Sequence, residues 1–235
     1  RWMGRSRSCS RRASARAIFA AVVVPVQTAL ALWMAVLVNK KVRAVKFFRA
    51  VFFLPVIVVL TVAAVIWFLL LDPSNGLVNG FLRAISFGAI ESSWLQSTTM
   101  ALPAIMLISI WQGAGFQMII LLAGLQDIPQ ELYEASAIDG ATKRQQFFYV
   151  TLPQLRNTLI FVITITMILS FRLFDQVWAL TRGGPLNATN TVMVELVDIG
   201  FERKAIAQAS AIAVIFFIVV LALTIVQRKF LKEER

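Results

Sequence analysis

The side chains with chemical reach in this sequence are amides, hydroxyls and one pair of opposite charges, set among long apolar runs. Gln112 and Gln117 lie in "IWQGAGFQM"; Arg172, Asp175 and Gln176 lie in "FRLFDQVW", with Phe174 and Trp178 beside them. Polar groups at bilayer depth are candidates for a transport path, because hydrocarbon cannot solvate them. A spacing of five puts Gln112 and Gln117 about 140° apart on a helix, so they need not face one cavity. Arg172 and Asp175, at i,i+3, can pair on one helical face, or Arg172 can snorkel to the membrane surface. With Phe174, Gln176 and Trp178 they make a polar–aromatic set suited to sugars, whose apolar faces stack on rings while hydroxyls bond amides and carboxylates. The bland alternative is packing at the outer interface, where Trp is enriched. Thr164, Thr166 and Ser170 are expected to bond carbonyls of their own helix. Gly113 and Gly115 can loosen their helix or permit close packing.

Other chemistry is limited by what the sequence lacks. It has no His and one Cys, Cys9. A metal site built on His or Cys ligands is therefore not expected. Nucleophile–His catalysis is impossible within the chain, and so is an internal disulfide. No Gly-rich loop ends in Lys-Ser or Lys-Thr to cradle a phosphate. The chain reads as a non-enzyme, and any ATP must be used by a partner.

The elements that position these groups are apolar blocks. The 235 residues are 59% hydrophobic, with mean hydropathy +0.77. Crossing a bilayer takes about 20 apolar residues. Five stretches meet that length, near 17–38, 51–71, 101–125, 158–178 and 206–227. An all-α polytopic membrane protein follows. The net charge of +11 points to anionic lipid and not to nucleic acid, because the charges flank the spans.

Basic residues set the expected orientation. Loop 39–49 holds five, loop 126–157 holds Lys143, Arg144 and Arg156, and the tail after 227 holds four. The alternate loops hold only Arg83, Arg182, Arg203 and Lys204. The positive-inside rule then places 39–49, 126–157 and the C-terminus in the cytoplasm. Residues 1–16, with six arginines, oppose this scheme. Either they form a basic arm that lies outside, disordered or amphipathic, or a preceding span is missing from this sequence. The charge conflict favours the second reading, with residues 1–16 not native to the fold.

Segment 126–157 is the organised polar interruption. Pro129 suits a first helical turn. Glu131 and Glu134 suit the positive end of the helix dipole. Ala135, Ser136 and Ala137 are small enough for close approach by another surface. Asp139 precedes Gly140, which ends or bends the helix. A second amphipathic run, "ATKRQQFFYV", can rest Phe147 and Phe148 on the membrane, and Leu152-Pro153 punctuates before the next span. A helix that docks in a partner's groove and a solvated loop with interfacial helices both fit this pattern.

Here the sequence resembles a known family. Glu134-Ala135-Ser136, three residues, Gly140, nine residues, then Val150-Thr151-Leu152-Pro153 is similar to the E-A-A-x3-G-x9-I-x-L-P motif of ABC importer permeases. Ser136 replaces the second Ala and Val150 the Ile. "FFRAVFFLPVIV", "LDPSNGLVNGFL", "FDQVWALTRGGP" and "ASAIAV" resemble the carbohydrate-uptake class, that of the maltose and glycerol-phosphate importers, from about Ile18 onward. The resemblance implies a type I importer transmembrane domain with a usual six-span core, of which five spans are visible. It implies a permease subunit in the cell membrane that imports sugar, with a second homologous permease, an extracytoplasmic solute-binding protein and ATPase subunits that hold ATP and Mg. Glu131–Gly140 would be the coupling helix, Glu134 pairing with a basic ATPase residue and Leu152-Pro153 setting entry to the next span. An inactive fragment lacking its first span remains an alternative. A secondary transporter needs buried ionisable groups, and a membrane enzyme needs clustered acids or His; the sequence offers little of either.

Overall fold

The computed structural model describes residues 3–39, 45–86 and 92–232, and leaves the side chains of residues 3–17, 228 and 230–232 undescribed. The arginines of residues 1–16 and Lys40, Lys41 and Arg43 of loop 39–49 therefore lie outside the described side chains. The described residues form helices joined by turns and loops, and contain no strand.

The helices run in order α1 (Met3–Val38), α2 (Val45–Ile57), α3 (Leu60–Leu70), α4 (Leu77–Ser86), α5 (Ala101–Gln126), α6 (Gln130–Ile138), α7 (Lys143–Gln146), α8 (Leu152–Gln154), α9 (Arg156–Phe171), α10 (Asp175–Leu180), α11 (Val192–Val197) and α12 (Ile206–Lys232). Two π-helical turns, Phe147–Thr151 and Asp198–Glu202, extend α7 and α11. Stretches Ile18–Val38, Ala101–Gln126 and Ile206–Gln227 are each long and apolar enough to cross a membrane alone. Two further candidate spans are bent pairs, α2 with α3 at 96° and Lys143–Gln154 with α9 at 66°.

The span expected near 51–71 is thus broken. Pro55 lies inside α2 and removes a backbone donor, and Val56-Ile57-Val58-Val59 is a run of β-branched residues with low helix propensity. Val59 is extended (ψ 133°), which frees the Val58 carbonyl from helical bonding. The span expected over 158–178 also ends early, at Phe171. Phe174 adopts φ −131°, ψ −61°, and α10 starts afresh at Asp175.

Helix α5 is the axis of the packing. Its Ala104, Ile105 and Ile108 join Phe19, Val23, Ala64, Leu71 and Val177 in one apolar cluster. Its Ala114, Met118, Leu121, Leu122 and Leu125 join Ala31, Met34, Ala35, Leu155 and Val162 in a second. A polar layer on α5, from Ser109 to Gln117, lies between the two. Gly115 admits α2 here: a Cβ at this position would lie 2.2 Å from the Phe52 carbonyl oxygen. Of the two roles open to this glycine, close packing is the one the structure uses.

Helix α12 behaves differently. Only 6% of its apolar window is buried, against 50% for α5. Phe217, Ile218, Val219 and Leu221 point outward, as expected of a face that meets lipid or another subunit.

Candidate functional site

A cavity of about 380 Å³ opens in the polar layer, within the size range of small-molecule sites. Its wall draws on α1, the α2–α3 break, α5, α9 and the turn into α10. Gln112 Nε2 donates to the free Val58 carbonyl at 3.1 Å. Gln176 Nε2 donates to Gln112 Oε1 at 3.1 Å. The Ser109 hydroxyl is shared between the Ile105 carbonyl, at 2.9 Å, and Gln176 Oε1. Three separate elements are tied at one point by this chain of bonds.

Gln117 is 2% exposed and also lines the cavity. Its Nε2 donates to Thr166 Oγ1, whose own proton goes to the Val162 carbonyl at 2.6 Å. Its Oε1 is buried without a partner. Gln112 and Gln117 therefore share a cavity despite their angular separation, because the cavity wraps around α5. Thr164 bonds back to the Ile160 carbonyl at 2.7 Å, the expected helical role, while Ser170 lines the cavity.

Arg172, Phe174, Asp175 and Gln176 all reach the cavity wall. The i,i+3 relation expected of Arg172 and Asp175 is lost, since the helix stops between them. Both are exposed at the mouth. Trp178 stands away from the cavity. It stacks on Phe174 at 5.6 Å and 25°, and the Arg182 guanidinium lies 5.9 Å from its ring centroid. Sequence reasoning missed Ser109 and Gln27, both lining residues. A signal existed for each: Ser109 sits at i,i+3 from Gln112, and Gln27-Thr28 interrupts the apolar run "VVVPVQTALAL".

The second candidate site is the segment after α5. Helix α5 carries 26 residues, about 39 Å at 1.5 Å per residue, so this segment and residues 92–100 lie at its opposite ends. Pro129 is the N-cap of α6, and Glu131 lies in its first turn. Gly140 has φ +80°. Gly140 N–H donates to the Ala137 carbonyl at 3.1 Å and Ala141 N–H to the Ser136 carbonyl at 2.9 Å, which is the Schellman closure of a helix.

One face of α6 is held inward. Gln146, 4% exposed, donates from Nε2 to the Tyr133 carbonyl and to Ser136 Oγ, both at 3.0 Å. The Ser136 hydroxyl donates to the Tyr133 carbonyl at 2.9 Å, and the Tyr133 hydroxyl meets Thr151 Oγ1 at 2.9 Å. The Ser at the position of the motif's second Ala is thus a brace between α6 and α7. Thr142 and Gln145 form a capping box that starts α7. The other face carries Glu131, Glu134, Ala135 and Ile138, all exposed; Ile138 reaches 87%. Gln130 Nε2 donates to Glu134 Oε1 at 3.0 Å. Asp139 is exposed at the C-cap. Leu152 and Pro153 lie in α8, and the axis turns two residues beyond Pro153, at the fully buried Leu155. Sequence reasoning missed Gln146, Thr151 and Ile138 here.

Residues 13–232 match the family described as the binding-protein-dependent transport system inner membrane component. The match begins inside the stretch 1–16 that the resemblance excluded. The probable ABC transporter permease protein YurN of Bacillus subtilis is 38% identical over 199 residues, covering 84% of this chain and 68% of that one. The trehalose/maltose transport system permease protein MalF of Thermococcus litoralis is 35% identical over 217 residues, 90% of this chain and 70% of that one. The sn-glycerol-3-phosphate transport system permease protein UgpA of Yersinia pestis is 31% identical over 220 residues, 92% and 73% respectively. In fold, the chain is similar to a chain of a bacterial ABC transporter that imports the acidic polysaccharide alginate. The TM-score is 0.86 at 21% identity, over 94% of this chain and 78% of that one.

Proposed function

The chain belongs to the inner membrane components of binding-protein-dependent transport systems, and from that premise we propose that it is one permease subunit of an ATP-driven sugar importer, coupled to a separate ATPase through α6. The observation that carries the coupling role is the outward face of α6. Its inward face is fixed by Gln146, while Glu131, Glu134, Ala135 and Ile138 stand clear of the rest of the chain. A short, rigidly held helix with two carboxylates and one apolar anchor fits a groove with a basic rim. Glu134 pairs there with a basic ATPase residue, a contact strengthened by partial desolvation.

The cavity is the solute path. Amides and hydroxyls on its wall exchange their mutual hydrogen bonds for those of a hydroxylated solute, and Phe116 and Phe174 offer ring faces. Closure of the ATPase pair draws the α6 helices of the two permeases together, and the spans rock about the break between α2 and α3. A solute-binding protein delivers the solute at the far end, and a second homologous permease completes the path. A self-sufficient secondary transporter would carry buried ionisable groups; here Arg172 and Asp175 are exposed.

The test is Glu134→Lys in the assembled transporter in proteoliposomes. Removing one side of such a contact costs roughly 2–5 kcal/mol. Solute-stimulated ATP hydrolysis should be lost while membrane insertion is unchanged. Normal stimulation would remove α6 from the coupling role.

A further inference from the structure

Helix α4 is amphipathic in the wrong sense for a helix in water. Leu77, Gly80, Phe81, Ala84 and Ile85 share one arc of about 140° at 100° per residue. All five are exposed, Leu77 at 74%, Phe81 at 67% and Ile85 at 63%. No polar residue lies on that arc. The polar residues Asn79, Arg83 and Ser86 lie on the arc turned toward the protein.

That inward arc is locked. Asn79 is 1% exposed; its Nδ2 donates to the Ser92 carbonyl at 2.9 Å and the Pro73 carbonyl at 3.3 Å. Trp94 Nε1 donates to Asn79 Oδ1 at 2.9 Å, and Arg83 Nη2 donates to the Pro73 carbonyl at 3.0 Å. Rotating α4 to hide its apolar arc would break all four bonds. The outward arc is therefore a fixed surface that requires an apolar partner.

The partner is fixed by position and chemistry. Helix α3 ends at Leu70, and its exposed Val62, Val65, Ile66 and Leu69 form an apolar surface of the spanning part. Residues 71–76 are folded back on themselves, with Gly76 N–H on the Asp72 carbonyl at 3.1 Å, so α4 starts where the span leaves the hydrocarbon. A protein-docking face mixes apolar anchors with a hydrogen-bonding rim, and this arc offers no donor or acceptor side chain. We propose that α4 is an interfacial helix whose Leu77–Phe81–Ile85 face is seated in the lipid leaflet on the side opposite α6. Such helices sink their apolar face about 5–10 Å into the boundary between headgroups and acyl chains.

The experiment uses the assembled transporter in vesicles of phosphatidylethanolamine and phosphatidylglycerol, with Cys9→Ser as background. An environment-sensitive fluorophore is placed on Phe81→Cys, on Ile85→Cys, and on Leu186→Cys, a 91%-exposed control on the same side of the molecule. At 81 and 85 the emission should shift to the blue and be quenched more strongly by a lipid with its nitroxide near the headgroup than by one with a deep nitroxide. Position 186 should do neither. Water-like emission at 81 and 85 would overturn the proposal. So would blue-shifted emission that neither lipid quenches, which would place a protein partner on the arc.

Discussion

The α6 segment and the cavity are both polar interruptions of an apolar chain, and they are built in opposite senses. In the segment, two carboxylates and an isoleucine face outward and the inward polar ties are local: Gln146 reaches Tyr133 and Ser136 across 13 and 10 residues, and Tyr133 reaches Thr151 across 18. In the cavity, polar residues face inward and the ties are remote. Gln112 meets Val58 across 54 residues, Gln176 meets Gln112 across 64, and Ser109 meets Gln176 across 67. A local polar unit can be presented to another protein without disturbing the bundle. A remote one holds the bundle together, so whatever enters it must act on several helices at once.

That contrast can be broken at either end. Gln176→Leu should have the larger effect, because it leaves Gln112 Oε1 without its donor and Ser109 with the Ile105 carbonyl alone; an unpaired buried group costs about 1–3 kcal/mol. Thermal unfolding of the purified transporter should fall measurably and solute uptake with it. An unchanged midpoint would show that the amide chain ties nothing. Ser136→Ala restores the motif's more usual residue and removes one hydroxyl from the brace, at a cost of about 0.5–1.5 kcal/mol. Amide exchange should quicken in α6 and α7 alone, with the cavity helices unmoved; exchange that spread to α5 would deny the segment its independence.

The smallest effect belongs to the turn at Asp72, a local unit at the other end of the molecule. Hydrogen bonds from the Asn75 backbone, then the Ser74 side chain and Ser74 backbone, hold its carboxyl below the usual range, outweighing a slight opposing effect of burial. The folded value is depressed, so the stabilisation is present in full above the ordinary carboxylate range near about 3.9 and is lost as pH falls through the lowered folded value. Thermal stability measured down through that window should show a small acid-side decline that Asp72→Asn removes. An identical decline in the variant would assign it to other groups.

The same contrast explains what the sequence allowed one to read. Gly140, Pro129 and the acidic first turn signal α6 because each acts on its own backbone, and the structure uses the glycine as a positive-φ helix stop. The break at Val58 had a local cause in Pro55 and the β-branched run, yet hydropathy alone ran straight through it. Ending a span at Trp178 failed for a similar reason: apolar residues continue past Phe171, while the backbone does not. The cavity was only half legible. Gln112, Gln117 and Gln176 stand out as polar residues in apolar runs, but which of them meet depends on helix crossings that no spacing reveals. The near-bare α12 and half-buried α5 make the same point, since both read simply as apolar.

We propose the outward face of α6 as the chain's contact with an ATPase. A photo-crosslinking residue at position 138, on the face that carries Glu131 and Glu134, tests it in intact membranes. A covalent product with the ATPase subunit is expected from position 138 and none from position 186 at the far end. Absence of that product from position 138, in a transporter that still assembles and hydrolyses ATP, would contradict it.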